Sequence, residues 1–124
     1  MSPLSLDIRY LPAGVLVTVA GEIDSTNVHW LESSVQRAWR PGQPLVLDLG
    51  GVTFMDSSGL HALLRLHTAA REQGGALHLA AVRDVPARVL QITGVWSTLD
   101  IHPTAAAAVA AVLGEQVSPL QEPQ

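Results

Sequence analysis

The sequence predicts an α/β fold: a mixed, mostly parallel sheet of about five strands with about four helices, in the order β-β-α-β-α-β-α-β-α. Short apolar runs alternate with longer segments in which apolar residues recur every three or four positions. Right-handed crossovers through the helices make most strands parallel, and the first strand can join as an antiparallel edge. Of the 124 residues 48% are hydrophobic and 15% are charged, so we expect one folded domain over residues 1–114. Residues 115–124 are polar and contain two prolines, and we expect them to form a flexible C-terminal tail.

The first third of the chain predicts a β-hairpin followed by a helix. Residues 5–10 alternate between apolar and polar, residues 15–20 are apolar and partly β-branched, and a turn with proline and glycine joins them. Apolar residues at helical spacing predict a helix over residues 28–39. The core face of that helix is formed by Val28, Leu31, Val35 and Ala38. The residues available to cap it are Asp24, Ser25 and Thr26.

The remaining elements continue the alternation of strands and helices. We expect strands over residues 45–49, 76–81 and 99–101, and a long helix over residues 57–72. The core stripe of the long helix consists of Leu60, Leu63, Leu64 and Ala70, with His67 on the same face. The last two helices are expected to be capped by Asp84 and Thr104 and to end at Gly94 and Gly114.

The turn between the third strand and the long helix is the most informative stretch. Asp56, Ser57 and Ser58 stand where the helix begins, at the positive end of its dipole. A phosphate on Ser57 would add roughly −1.5 to −2 charges, and free N–H groups at the helix start could satisfy some of its oxygens. The sequence therefore indicates a place where a phosphate could be added without unfolding the domain.

Further carboxylates are expected near these serines. Glu22 and Asp24 follow the second strand, and loops beyond the carboxyl ends of parallel strands gather at one edge of the sheet. If the second and third strands are neighbours, Glu22, Asp24 and Asp56 form an acidic cluster around the serines. Capping alone would explain Asp24, Asp56 and the serines, and Glu22 would then be a solvated loop carboxylate. Three candidate caps in a row exceed what one helix needs, which favours an additional role for the turn.

The composition argues against several functional classes. The net charge is −4, the chain has no lysine and no basic stripe, and we expect no direct contact with nucleic acid. Because the chain is acidic, a protein partner with a basic surface is expected instead. No apolar run is long enough to span a membrane and no signal peptide is visible, so we expect a cytoplasmic domain without membrane insertion. The chain has no cysteine and its histidines lack metal-ligand spacing, so no metal or cofactor is predicted.

Catalysis by Ser57 is a weaker interpretation. The turn lacks the first glycine of a Gly-x-Ser-x-Gly elbow, and without lysine no phosphate-binding Gly-Lys-Ser/Thr loop can exist. The nearest candidate base is His61, one helical turn beyond Ser57. We predict that the chain is not an enzyme, and keep a small enzyme using Ser57 and His61 as an alternative hypothesis.

Four segments of the chain resemble segments of one protein family. Residues 52–60, centred on Asp56 and Ser57, resemble the phosphorylation loop of the bacterial anti-sigma factor antagonists, which are members of the STAS domain family. Residues 21–24 resemble the family's loop after the second strand, and residues 89–95 and 101–104 resemble its later segments. The similarity covers roughly residues 4 to 113 and includes the element order. It implies a STAS-like fold for the predicted domain.

The resemblance also implies a mechanism of regulation. Ser57 would be the phosphoacceptor, and the unphosphorylated protein would bind an anti-sigma factor and so release a sigma factor to activate transcription. The partner-binding residues that it implies are Asp24, Glu22, Asp56, Ser58 and Gly59. The anti-sigma factor would itself be a serine kinase that uses ATP and magnesium, and a serine phosphatase would reverse the modification. STAS domains also serve as accessory subunits of membrane transport systems and stress-sensing complexes, which is the alternative function.

Overall fold

The computed structural model describes residues 3–116 and has the predicted element order. The strands are β1 (Ser5–Leu11), β2 (Gly14–Ile23), β3 (Leu45–Met55), β4 (Leu77–Ala80) and β5 (Asp100–His102). The helices are α1 (Val28–Ala38), α2 (Ser57–Glu72), α3 (Asp84–Ile92) and α4 (Ala105–Gln116), with a 3₁₀ turn at Val95–Thr98. The five strands form one sheet in sequence order, in which β1 is antiparallel to β2 and all other neighbours are parallel. The predicted fold class is confirmed.

Helices cover both faces of the sheet. The larger core cluster joins alternate residues of β2, β3 and β4 to the apolar faces of α1 and α2, and includes Leu90 of α3. The intervening residues face the other way, and there Val46 and Ala80 pack with Ala108 and Val112 of α4. All four residues predicted for the core face of α1 are buried. In α2, Leu64 is only half-buried, and the buried positions include Ala62 and Leu66 instead.

The second and third strands are longer than the sequence predicted. β2 continues to Ile23 and β3 continues to Met55, rather than ending at residues 20 and 49. Their pairing passes through two shifts of register, one before Ala20 and one after Gly21. Ala20 is paired with Gly51, and a Cβ on Gly51 would lie 2.9 Å from the Cβ of Ala20. The glycine therefore permits a close approach that carries both strands onward to the same end of the sheet.

Several predicted element ends need correction. Asp84 does not cap α3 but is its first residue, and its φ of 55° is in the left-handed region. Thr104 caps α4 as predicted, because its Oγ1 accepts a hydrogen bond of 3.0 Å from the N–H of Ala107. That helix does not end at Gly114 but continues to Gln116, into the first two residues of the predicted tail. Residues 117–124 of that tail lie outside the described residues.

β4 and β5 also differ at their ends. β4 is shorter than predicted, over Leu77–Ala80, and β5 is displaced by one residue to Asp100–His102. Within residues 3–116 no helix combines the length and the apolar character needed to cross a membrane.

Candidate functional site

The ends of β2 and β3 bring two polar loops together. The pairing of these strands runs to Glu22 opposite Phe54 and Ile23 opposite Met55, and the N–H of Asp56 donates to the carbonyl of Ile23 at 3.3 Å. The loop that contains Asp24 therefore starts beside the turn that contains Asp56. The expectation that both loops share one edge of the sheet is confirmed.

Asp56 is the N-cap of α2. Its backbone is extended, and its Oδ1 accepts hydrogen bonds from the N–H of Ser58 at 2.9 Å and of Gly59 at 3.4 Å. The hydroxyl of Ser58 donates to the same oxygen. These bonds favour the charged form, so the pKa of Asp56 is lowered, above all by the Ser58 hydroxyl. A carboxylate is thereby fixed at the base of the turn.

The two serines of the turn differ in their surroundings. Ser58 is half-buried and its hydroxyl is held by Asp56, whereas Ser57 is exposed. Within residues 3–116 the hydroxyl of Ser57 has no hydrogen-bond partner. Ser57 thus presents a free hydroxyl to solvent, and Ser58 is part of the internal structure of the turn. The sequence alone could not separate them, since both are good capping residues.

Asp24 organises its own loop instead of capping α1. Its Oδ1 accepts from the N–H of Thr26 at 2.9 Å and from the Thr26 hydroxyl, and its carbonyl accepts from the N–H groups of Asn27 and Val28. Asn27 is the residue at the N-cap position, and it makes no side-chain bond to the helix. The capping roles considered for Asp24, Ser25 and Thr26 are therefore wrong.

Asn27 ties this loop together and was not identified from the sequence. Its Oδ1 accepts from the N–H of Asp24 at 3.0 Å, and its Nδ2 donates to the carbonyl of Glu22 at 2.7 Å. Both sides of the amide bond to the stretch from Glu22 to Asp24, which fixes the path of the chain through the four residues between β2 and α1. The signal available in the sequence was an asparagine directly before an amphipathic segment.

Gly59 lets the start of α2 lie against the ends of the strands. It is buried, and a Cβ at this position would lie 2.5 Å from the Cγ of Met55 and 2.9 Å from Cγ2 of Ile23. Non-bonded carbon atoms do not come this close, so a side chain at this position would force Met55, Ile23 or the start of α2 to shift. Gly59, which the resemblance implies as a partner-binding residue, thus sets how closely the start of α2 packs on the sheet.

The rim of the site combines an acidic and an aromatic residue. Glu22 is half-buried at the register position opposite Phe54. Phe54 is 40% exposed although it is a large apolar side chain. Aromatic residues are enriched in the cores of protein interfaces, and Phe54 lies three positions before Ser57. Nothing in the sequence distinguished it from the buried apolar residues of the same strand.

His61, the candidate base for Ser57, is exposed and does not contact Ser57 through any hydrogen bond of the described residues. Residues 3–116 contain no group of three histidine, cysteine or carboxylate side chains placed to hold a metal ion. The site presents an accessible hydroxyl beside the capping carboxylate of Asp56.

A family model described as "STAS domain" matches residues 6–108. The chain belongs to the STAS domain family. The match includes the β2–β3 edge and the start of α2, and the resemblance identified from residues 52–60 is confirmed.

Two relatives of this STAS domain are named as anti-sigma factor antagonists. The anti-sigma-F factor antagonist RsfA of Mycobacterium tuberculosis is 28% identical over 111 residues, which cover 87% of each chain. The anti-sigma-B factor antagonist of Bacillus subtilis is 29% identical over 98 residues, covering 79% of this chain and 90% of that protein.

The similar solved structures include anti-sigma factor antagonists and also STAS domains of transporters, such as that of a SulP transporter from Vibrio cholerae, with a TM-score of 0.64 at 20% identity, covering 80% of each chain. An anti-sigma factor antagonist from Mycobacterium paratuberculosis superposes with a TM-score of 0.80 at 26% identity, covering 90% of this STAS domain and 95% of that chain.

Proposed function

We propose that this STAS domain is an anti-sigma factor antagonist controlled by phosphorylation of Ser57. With Ser57 unmodified, the edge formed by the β2 and β3 loops and the start of α2 binds an anti-sigma factor, and a sigma factor is released to activate transcription. The observation that carries the proposal is the exposed Ser57 hydroxyl, which has no partner in residues 3–116, beside a capping carboxylate. The names of the relatives support the class of partner.

The phosphate acts on the surface because the turn has few donors left to receive it. Asp56 already accepts the N–H groups of Ser58 and Gly59, and its own pKa is lowered, so it keeps its negative charge at neutral pH. A phosphate on Ser57 is therefore repelled by Asp56 and directed outward. A partner surface shaped for a neutral hydroxyl then meets bulk and roughly −1.5 to −2 added charges.

The remaining site residues have distinct roles in this proposal. Asp24, Glu22 and Asp56 present carboxylates or carbonyls at the same edge, which suits a partner with a basic surface. Ser58 and Gly59 hold the start of α2 in position rather than contacting the partner with long side chains. Phe54 supplies an apolar contact beside them.

The enzymes of the cycle are separate proteins. The anti-sigma factor acts as the serine kinase, and ATP and magnesium belong to its active site, so this chain needs no cofactor of its own. A serine phosphatase removes the phosphate and restores binding. The compartment that we propose is the cytoplasm, because transcription takes place there.

Binding measurements on Ser57 variants test the proposal. Ser57→Ala should bind the cognate anti-sigma factor like the wild type but accept no phosphate. Ser57→Asp should bind about a hundredfold more weakly, equivalent to roughly 2.7 kcal/mol. Thr68→Asp is the matched control, since it adds the same charge at an exposed position of the same helix and should leave the Kd unchanged. Wild-type affinity in Ser57→Asp would contradict the charge mechanism.

Mapping the phosphate tests the acceptor directly. After incubation with the kinase, ATP and magnesium, mass spectrometry should place one phosphate on the peptide that contains Ser57. Ser58 should stay unmodified because its hydroxyl is bound to Asp56. Phosphate on Ser58, or at a distant residue only, would refute the assignment of Ser57. An affinity for a membrane transporter in place of an anti-sigma factor would support the accessory-subunit alternative.

A further inference from the structure

The two outermost strands of the sheet, β1 and β5, are protected to very different extents from pairing with a strand of another chain. One edge is β5, which has only three residues, and shortness is a common way to prevent pairing with another chain. The other edge is β1, with seven residues that pair with β2 without any shift of register. Its sequence from Ser5 to Leu11 contains no proline or bulge, and its two charged residues, Asp7 and Arg9, are of opposite sign. In the described part of the chain no strand lies on the outer side of β1.

The hairpin turn determines which backbone groups of β1 face outward. Two residues separate Leu11 from its partner Gly14, so this pair closes the ladder and its N–H and C=O groups point toward β2. The direction alternates along the strand, so Asp7 and Arg9 also bond to β2. Leu6, Ile8 and Tyr10 therefore direct their N–H and C=O groups away from the sheet.

The side chains of β1 select one way in which a second copy can pair with this edge. A two-fold axis at Ile8 places Ile8 opposite itself, Leu6 opposite Tyr10, and Asp7 opposite Arg9. Every outward-facing N–H then meets an outward-facing C=O, and each Asp7 meets an arginine of the other copy. An axis at residue 7 or residue 9 would instead place Asp7 opposite Asp7 or Arg9 opposite Arg9, and like charges directly opposite are unfavourable.

The exposure of these side chains agrees with such a contact. The side chains of Asp7 and Arg9 are 68% and 75% exposed, and Asp7 Oδ2 lies 3.6 Å from Arg9 Nε of the same chain. Because this ion pair is exposed, each residue can instead pair with its opposite charge on the second copy. Tyr10 is 64% exposed, with its ring 6.0 Å from the guanidinium carbon of Arg40, although it is a large aromatic residue. Pairing with Leu6 of a second copy would cover it with apolar surface.

We propose that β1 is a self-association edge, through which two copies pair antiparallel about Ile8 and join their sheets into one of ten strands. The charges on Asp7 and Arg9 make the edge complementary to itself in that register and disfavour the neighbouring registers. The interface is small, so the association depends on protein concentration rather than being permanent. It does not involve Ser57 or the loops of β2 and β3, and it stands independently of the proposed function.

Charge exchange on β1 tests the register. Sedimentation of the wild type should show a mass that rises with concentration toward that of a dimer. Asp7→Arg alone and Arg9→Asp alone should each remain monomeric, because two like-charged pairs then meet across the axis. An equimolar mixture of these two variants should associate again, because residues 7 and 9 of the two chains are then complementary throughout. Arg88→Asp, at an exposed position of α3, is the matched control and should associate like the wild type.

Some outcomes would overturn the proposal. A wild type that stays monomeric at all concentrations, or single variants that associate as well as the wild type, would contradict it. A mixture that behaves like its separate components would show that the contact does not have this register.

Amide hydrogen exchange on the unmodified chain gives a second measurement that needs no variant. The amides of Leu6, Ile8 and Tyr10 should exchange more slowly as the protein concentration rises, while those of Asp7 and Arg9 should be protected at every concentration. Exchange at Leu6, Ile8 and Tyr10 that is independent of concentration would refute the pairing of this edge.

Discussion

Three polar residues at the start of α2 have three different functions in the structure. Asp56 is extended and accepts the N–H groups of the first turn, Ser58 donates its hydroxyl to Asp56, and Ser57 faces solvent. The sequence located this turn and its place at the start of the helix. It could not assign the roles, because each of the three residue types is a good N-cap and only the backbone conformation distinguishes them.

Asp56 should contribute to stability as a cap. We expect Asp56→Ala to lower the free energy of unfolding by about 1 kcal/mol, because two N–H groups of α2 lose their acceptor. Urea unfolding followed by tryptophan fluorescence measures this change. Glu72→Ala, at the exposed end of the same helix, is the control and should not destabilise the domain. An equal loss in both variants would contradict the capping role.

The charge of Asp56 also predicts a dependence on pH. Hydrogen bonds hold its pKa below the usual 3.8, so the folded chain binds this proton less readily than the unfolded chain does. The stabilisation by the carboxylate is therefore complete above the unfolded pKa and is lost as the pH falls through the folded pKa. The difference in stability between the wild type and Asp56→Asn should be constant above about pH 5 and shrink below about pH 4. A difference that stays constant down to pH 2 would exclude this contribution.

Gly59 should tolerate no side chain. We expect Gly59→Ala to destabilise the domain by about 1–3 kcal/mol, because the new methyl group would overlap Met55 and Ile23. Gly114→Ala is the matched control: Gly114 lies within α4 with nothing within 4 Å of an added Cβ. That substitution should raise stability by up to about 1 kcal/mol through helix propensity. Thermal unfolding of the two variants should give shifts of opposite sign, and shifts of the same sign would contradict the packing argument.

Strand length is the property of the elements that the sequence predicted least well. Local sequence places breaks at Gly21 and at residues 50–51, whereas β2 and β3 run on to Ile23 and Met55. The continuation depends on the partner strand, because Gly51 lies opposite Ala20 and the two strands support each other beyond the shifts in register. Such pairing joins residues about thirty positions apart and leaves no local pattern. Helix α2, whose periodicity is local, was predicted with both ends correct.

Helix α4 should be sensitive on one face only. Val112 is 1% exposed and packs with Val46 and Ala80, whereas the adjacent Leu113 is 48% exposed. We expect Val112→Ala to cost about 1–2 kcal/mol through lost burial and a cavity, and Leu113→Ala to cost less than about 0.5 kcal/mol although it removes more atoms. Equilibrium unfolding measures both. A larger loss in Leu113→Ala would mean that α4 packs on the sheet through a different face.

On the scale of the whole molecule, the alternation of strands and helices was enough to predict the element order and a mostly parallel sheet, but not the order of the strands within it. It also predicted that Asp24 and Asp56 share an edge, on the condition that β2 and β3 are neighbours, which they are. The role of Asn27 could not be predicted in the same way, since its two hydrogen bonds depend on how the loop folds back on Glu22. The sequence thus indicated that the loops after β2 and β3 meet. The hydrogen bonds that hold each loop could be seen only in the structure.

The two proposed surfaces should work independently. Ser57→Asp should self-associate like the wild type, because the proposed contact is centred on Ile8, whose partner Val17 lies six residues before Ile23 at the end of β2. The double variant Asp7→Arg/Arg9→Asp, which keeps the β1 edge self-complementary, should keep both its self-association and its affinity for the anti-sigma factor. Sedimentation and binding measurements on the same samples test this. A loss of partner affinity in the double variant would show that the two surfaces are coupled.

The free hydroxyl of Ser57 has a consequence for timing. Since the bonds at the start of α2 are made by its neighbours, a phosphate on Ser57 breaks none of them. On the proposed function, each cycle of modification and removal then proceeds without any refolding of the domain. The speed of the response is governed by the two enzymes and by the lifetime of the complex, and one molecule can be reused through many rounds.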